Sequence, residues 1–452
     1  MGAIAVDPVR ERFVPPAPSP PRGDLSLLRV ARAMRSNSLA AWPERAYDAL
    51  LIHRRFLGVD CFLVNDPASV RRVLVERADN FVRPMTTLRV LRPGTGDGLL
   101  LAEGERWRAQ RRLVAPHFAP QHVERLLPAV QAVAAAMTQS LPAAGMADLA
   151  RAFESAAIET IGRGLFSTPL AGRAGRVGDL LRRYFGGAAR GTVWDFLARD
   201  VDDHAWALRQ RRAWSAEWFV EIDALIATRS ANPPSGAADL FDVLAAGDPD
   251  GMRDQVATML ATGFESTART MFWAAYLLSH DPDEQDAVRG ELARNPPGDV
   301  ASLDDLKAWP RLANVLNETM RLYPPVSTLI RTARTADDLG GTAIRPGAFV
   351  IVCPWVLHRH RLHWERPEAF VPERFTCRGE RMRDGAYIPF GIGRRGCVAA
   401  AFATVEATLV LAHLLWRWRV SLDDRRPVMP VAIATTVPDR EPAFRLTPVS
   451  AA

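Results

Sequence analysis

Cys397 closes the segment Phe390-Gly391-Ile392-Gly393-Arg394-Arg395-Gly396-Cys397 and opens the small-residue run Val398-Ala399-Ala400-Ala401. The glycines free the backbone to turn and to approach a flat ligand closely. A helix starting just after the thiol aims its positive end at the sulfur and favours the thiolate. A thiolate in such a loop has the chemistry of a metal ligand. The plain alternative is a structural cysteine beside a turn.

A second chemical segment is Thr262-Gly263-Phe264-Glu265-Ser266-Thr267, inside an apolar helical stretch over 256–276. A glycine there costs about 1 kcal/mol against alanine. A carboxyl and hydroxyls in mid-helix add to that conflict with local preference, and such conflicts point to function. An acid followed by a hydroxyl is suited to moving protons. The plain alternative is a helix whose Glu265 reaches solvent.

Two further pairs lie at helical spacing. Glu318 and Arg321 are i, i+3 and share a face. Pro324 and Pro325 stop their helix. Trp107 and Arg111 are i, i+4, and both are donors without an acceptor, which suits a carboxylate ligand. A surface ion pair and a solvated basic helix are the plain alternatives, and Arg108 and Arg112 fit the latter.

The elements that must position these groups are mostly helical. Val123, Leu126, Leu127, Val130 and Val133 form a helix stripe over 122–141, where Pro128 predicts a kink or a late start. Asp281-Pro282-Asp283-Glu284 reads as a capped helix start. Strands are expected at 60–64, at 342–353 as strand, turn, strand, and at 431–435. The expected fold class is mainly α with a small β subdomain. Residues 1–40 read as an arm, Pro-rich in part, and 41–452 as one domain.

The chain of 452 residues is 48% hydrophobic, and no apolar run reads as long enough to cross a bilayer. No apolar signal core opens it, and a cytoplasmic protein without a transmembrane anchor is expected. Cys61, Cys353, Cys377 and Cys397 form no CxxC pair, which argues against zinc and a disulfide framework. Cys61 and Cys353 lie in apolar runs and read as core. Net charge is +6, and Lys307 is the single lysine. The arginines are scattered, which speaks against nucleic acid and for an acidic protein partner.

The Cys397 loop resembles the haem-binding loop of the cytochrome P450 family, FxxGxRxC, with Phe390, Gly393, Arg395 and Cys397 on its fixed positions. The likeness extends to Glu318-x-x-Arg321, to Val371-Pro372-Glu373-Arg374-Phe375 and to Trp107-x-x-x-Arg111, and spans the chain from about Ala46 onward. It implies a P450-like fold and haem b with Cys397 as the axial ligand. Thiolate ligation pushes electron density toward O–O cleavage. The resemblance also implies that Glu318, Arg321 and Arg374 brace the loop. Trp107, Arg111, Arg331 and Arg395 would meet the haem propionates, with His358 a lesser candidate. Phe390, Gly391 and Ala399 would flank the haem, Ala399 standing where the family usually has glycine.

By the same resemblance Gly263 makes room for dioxygen. Glu265 and Ser266, with Thr267 as a substitute, relay protons; serine replaces the usual threonine. Apolar residues from Phe81 to Leu101 and from Tyr184 to Phe196, with Met259, Thr262, Phe264, Val326 and Leu329, would line a pocket for a lipophilic substrate. No flavin or dinucleotide fingerprint occurs, so electrons are expected from a ferredoxin or flavodoxin with its reductase, docking near Arg394. The activity implied is insertion of one oxygen atom from O2 into that substrate. A haem-thiolate peroxygenase or isomerase and a non-catalytic haem-binding protein remain as alternatives.

Overall fold

The computed structural model describes residues 12–234, 236, 238–376 and 385–449. Cys377 lies outside the described residues.

The core is organised around one helix, Met252–Ser279. At 1.5 Å per residue its 28 residues span about 42 Å. It is apolar around most of its circumference, which requires burial on all sides. The helices Leu149–Phe166, Ala400–Arg417, Pro310–Leu322 and Arg209–Ala231 pack around it. Ala400–Arg417 is long and apolar enough to cross a membrane by length and composition, contrary to the sequence expectation, but it is mostly buried inside the protein.

The Pro120–Ser140 helix runs through Pro128 without a break and starts at Pro120. Proline at a first helical position lacks only a donor that would be unpaired anyway, which explains a start earlier than expected. The Pro282–Arg294 helix begins as the sequence suggests, with the Asp281 side chain accepting from Glu284 N at 3.0 Å.

The principal sheet has five strands in the order Leu51–Phe56, Val59–Val64, Phe349–Val352, Leu329–Ala333, Phe81–Val82. Its one parallel pairing joins Val59–Val64 to Phe349–Val352. Three of its strands, Leu51–Phe56, Leu329–Ala333 and Phe81–Val82, were not expected; mixed exposure along the first two hides any alternation, and the third is only two residues long. The C-terminal hairpin pairs Pro430–Ala432 with Thr436–Pro438, so residues 433–435 form its turn rather than the end of a strand.

The described Pro-rich stretch has no regular secondary structure and is held to the body, and residues 27–36 of the expected arm form a helix. Phe13 O accepts from Phe370 N at 2.9 Å, and Arg12 pairs with Glu373 at 2.8 Å. The Phe13 ring stacks on His280 at 4.4 Å.

Candidate active site

The Cys397 loop is shaped by its glycines. Gly391 and Gly393 adopt φ of +67° and +72°. A Cβ on Gly393 would also lie 2.5 Å from Leu74 O, so no side chain fits there. Cys397 N donates to Phe390 O at 2.8 Å and closes the loop. The Ala400–Arg417 helix then starts with Ala399 at its N-cap, φ −97°, a conformation alanine adopts without strain.

Cys397 reaches solvent, yet protein crowds its sulfur. Burial raises its thiol above the ordinary range, while the Ala399 N–H and the Arg111 guanidinium pull it down. Helix start and arginine are thus present as expected, but in the protein alone desolvation outweighs them.

Behind the loop sits a buried cluster. Glu318 and Arg321 have no exposed side-chain surface. Arg321 Nε and Nη2 donate to the two Glu318 oxygens at 2.7 and 2.8 Å. Arg374 Nε and Val371 N add bonds to Glu318 Oε1 at 3.1 and 2.9 Å. The remaining Arg321 donors go to the carbonyls of His358, Pro367 and Ala369. One ion pair therefore ties the Pro310–Leu322 helix to the segment 358–374.

Beside the loop, positive charge accumulates. Arg83, Arg331 and Arg395 line one small cavity with Glu103 as its carboxylate, closed by Val73, Leu74 and Phe81. Glu103 pairs with Arg83 at 3.0 Å and with Arg395. Arg331 has no ion-pair partner among the described residues and donates to its neighbour's carbonyl, Ile330 O, at 2.9 Å. Burial, with Arg83 beside them, lowers both Arg331 and Arg395 to about 10. Arg395 also lies over the Trp107 ring at 4.1 Å, and Arg111 donates to Gly396 O at 3.2 Å. Three guanidiniums facing one carboxylate leave an excess of donors and of charge. A flat ligand bearing two carboxylates, such as haem, fits that donor set.

His358 does not belong to this group. Its ring is fully buried, and Nε2 accepts from Ile388 N at 2.9 Å. Burial and the neighbouring Arg321 and Arg359 push it down to about 3, so it is a neutral structural acceptor. Arg83 was missed in the sequence because a single arginine ending a two-residue strand carries no spacing signal.

The central helix supplies the other part of the site. From Gln255 to Leu278 every residue is buried except Thr262, Gly263 and Ser266. These three open onto one accessible strip. Ser266 Oγ donates to Thr262 O at 3.0 Å, and Thr267 Oγ1 to Gly263 O at 3.1 Å. Gly263 has a packing reason: a Cβ there would lie 2.9 Å from Ile161 Cδ1, so glycine lets the Leu149–Phe166 helix approach. Phe264 is fully buried in the main core and is not at the strip. Tyr184 is also core, stacked on Trp214 at 4.0 Å. Met259 is buried, Val326 exposed and Leu329 partly buried. Cys61, expected in the core, is partly exposed.

Glu265 points away from the strip into a cluster the sequence did not disclose. Its Oε2 accepts from Thr435 Oγ1 at 2.7 Å. Arg269, one turn on, donates to Glu154 at 2.8 Å and to Glu441 at 2.6 Å. Burial raises Glu265 to about 6 against the opposing pull of Arg269 and Thr435. Its i, i+4 spacing to Arg269 inside an apolar helix was the one available signal.

The family model for cytochrome P450 matches residues 25–441. Cyclooctatin synthase of Streptomyces melanosporofaciens is 30% identical over 73% of this chain and 74% of its own length. Pentalenene oxygenase of Streptomyces avermitilis is 29% identical over 78% of this chain and 80% of its own. Among solved structures, a mutant haem domain of cytochrome P450DA superposes with a TM-score of 0.76 at 22% identity, covering 97% of this chain and 99% of that one. CYP175A1, from a Thermus strain, gives 0.70 at 26% identity, with 88% and 91% covered.

Proposed function

The chain belongs to the cytochrome P450 family and is a haem-dependent monooxygenase; we propose that Cys397 is its iron ligand and that its substrate is a lipophilic organic molecule. When bound, the haem supplies the oxidising power that inserts one oxygen atom of O2 into that substrate. The chain's own residues hold it, orient the substrate and deliver protons.

The observation that carries the ligand assignment is the charge around the loop. Arg395, two residues before Cys397, is one of three guanidiniums that face one carboxylate, and the Arg111 guanidinium acts on the thiol itself. Cys353 has no such cluster, with Arg359 alone acting on it. It is fully buried, its thiol donates to Ser327 O at 3.1 Å, and burial pushes it up to about 11. Arg331, Arg395, Arg111 and Trp107 would bind the propionates, and Arg83 joins them. Phe390 and Gly391 fix the loop, and Ala399 starts the helix beneath it. Glu318, Arg321 and Arg374 hold the segment rigid.

Thr262, Gly263 and Ser266 form the accessible strip of the central helix, and Glu265 is the adjoining acid. In our reading Glu265 and Ser266 are the acid and the hydroxyl of proton delivery, and the carboxyl, turned away from the strip in this structure, must swing toward it to pass its proton on. Thr267, bonded to its own helix, is the weaker hydroxyl. Met259, Val326 and Leu329 remain candidates for the pocket wall. A relative named as an oxygenase of pentalenene supports a lipophilic substrate such as a terpenoid, with fatty acids and steroids as the other classes.

Electrons would come from a separate ferredoxin or flavodoxin with its reductase. Exposed Arg106, Arg108 and Arg112 lie on the Gly104–Val114 helix, whose Arg111 touches the Cys397 loop. With Arg394 they make a basic face that an acidic partner would find. We place the protein in the cytoplasm.

The test compares two thiols. The reduced wild type with carbon monoxide should give the strongly red-shifted Soret band of thiolate ligation. Cys397→Ser should lose it and Cys353→Ser should keep it; the reverse would overturn the assignment. Substrate class is then sought by spin-state shifts across terpenoids, fatty acids and steroids. Turnover with peroxide alone, and none with reduced partner and dioxygen, would favour a peroxygenase.

A further inference from the structure

Glu265 is held by a part of the chain far from it in sequence. Its carboxyl meets Thr435, in the turn of the C-terminal hairpin, 170 residues away. That turn is fixed on both sides of Thr435. Thr436 N and Oγ1 donate to Pro325 O and Pro324 O at 2.9 and 2.6 Å, and Thr436 O accepts from Trp273 Nε1 at 3.2 Å. Ala432 accepts from Ser38 Oγ and donates to Asn37 Oδ1, both at 3.1 Å. The hydroxyl of Thr435 is therefore presented at a set place on the central helix, one residue before Ser266.

The charged groups around Glu265 come from four elements. Arg269 lies on its own helix, Glu154 on Leu149–Phe166, Arg182 on Ala171–Arg183, and Glu441 follows the hairpin. Arg269 binds Glu154 and Glu441, while Arg182 binds Glu154 and Asp179. Within this cluster Glu154, Glu441 and Glu265 share the guanidiniums Arg269 and Arg182, the latter drawn also to the exposed Asp179. The carboxylates outnumber the cations, which favours protonation of one of them as pH falls. Glu265 is the member without a guanidinium hydrogen bond, so it is the one that protonates first. Burial supports this, since it raises both Glu265 and Glu154.

We propose that Thr435 is a positioning residue for the acid Glu265: the hairpin supplies the hydrogen bond that aims this carboxyl and keeps it able to ionise. This rests on the reading of Glu265 as the proton donor of the site. The event is proton exchange alone. The carboxyl takes up one proton and releases it when it swings from Thr435 toward the strip, and no electron moves. The Thr435 donor stabilises the charged form, so that Glu265 gives its proton up. Glu441 opposes it by adding negative charge at the solvent side.

The experiment follows the carboxyl C=O infrared band against pH in the intact resting protein, alongside product formed per dioxygen consumed. Thr435→Val keeps the branched shape and removes the hydroxyl. Its midpoint should rise by about one unit, the worth of a hydrogen bond to a charged group, and the coupling profile should move with it. Thr435→Ser should restore both. Glu441→Gln should move the midpoint the other way. An unchanged midpoint in Thr435→Val, with the Glu265 band confirmed by its loss in Glu265→Gln, overturns the proposal. If the band instead survives in Glu265→Gln, the titrating group is another carboxyl and the proposal also fails. If Glu265→Gln leaves coupling intact while Thr435→Val still shifts the band, positioning stands and the proton-donor reading falls.

Discussion

Two buried carboxylates, Glu318 and Glu265, each have an arginine one helical turn away and behave as opposites. Glu318 accepts four N–H donors, from both faces of the Arg321 fork, from Arg374 and from Val371. Its acceptors are filled, so it works as a fixed rivet. Glu265 accepts a neutral hydroxyl and looks toward two further carboxylates that claim the nearest arginine. It holds a proton it can lose near neutral pH. The number of donors reaching the carboxyl, rather than burial or residue type, separates a structural ion pair from a working acid.

The largest expected effect is on the filled site. Glu318→Gln leaves Arg321 and Arg374 buried around a neutral partner, which should cost about 3–5 kcal/mol. Denaturant unfolding would measure it, and haem content should fall in step. A loss under about 1 kcal/mol would mean the cluster is dispensable and would erase the contrast.

Next in size is a pH effect beside the rivet. His358 is held neutral, at about 3 against an ordinary 6.5. The unfolded chain binds that proton more tightly, so stability rises with pH between those values, by on the order of 4 kcal/mol. The gain is complete above pH 6.5 and is lost as pH falls. His358→Gln should flatten this slope in unfolding measured across pH.

Glu265 has the reverse sign. Its value of about 6 lies above the ordinary 4.5, so the folded state binds the proton more tightly. Its contribution is present below 4.5 and is lost as pH rises through 6, about 2 kcal/mol in all. Glu265→Gln should remove that loss and leave stability at low pH nearly unchanged. A matching slope in wild type and variant would place the proton on Glu154 instead.

The smallest effect is expected outside both clusters. Arg108 is exposed on the Gly104–Val114 helix and pairs with exposed Glu105. Arg108→Ala should change stability by less than about 0.5 kcal/mol. It should instead slow electron delivery at low salt, read as the rate of reduction by the acidic partner.

Local spacing explains which parts of this were legible. The Cys397 loop, Glu318-x-x-Arg321 and Trp107-x-x-x-Arg111 are each contiguous or one helical turn long, so sequence alone presents their members together. The helical class and the Asp281 cap were legible for the same reason. Arg83, Glu103, Thr435 and Glu441 were not, because each reaches its site from a distant short strand, turn or loop. Phe264 was misplaced because a helix motif says which residues are neighbours but not which side faces the core. His358 was misplaced because a histidine's role depends on what meets its ring.

The sequence by itself determined a mainly helical chain, a thiol in a glycine-shaped electropositive loop, and an acid–hydroxyl pair in an apolar helix. These follow from backbone freedom and helical periodicity, which are local. Only the tertiary structure decided which charges are matched. It filled Glu318 with donors, left Arg331 without an ion-pair partner among the described residues, and set Glu265 against Thr435 and two carboxylates. Charge balance depends on distances between segments hundreds of residues apart, and those distances exist only once the core has packed.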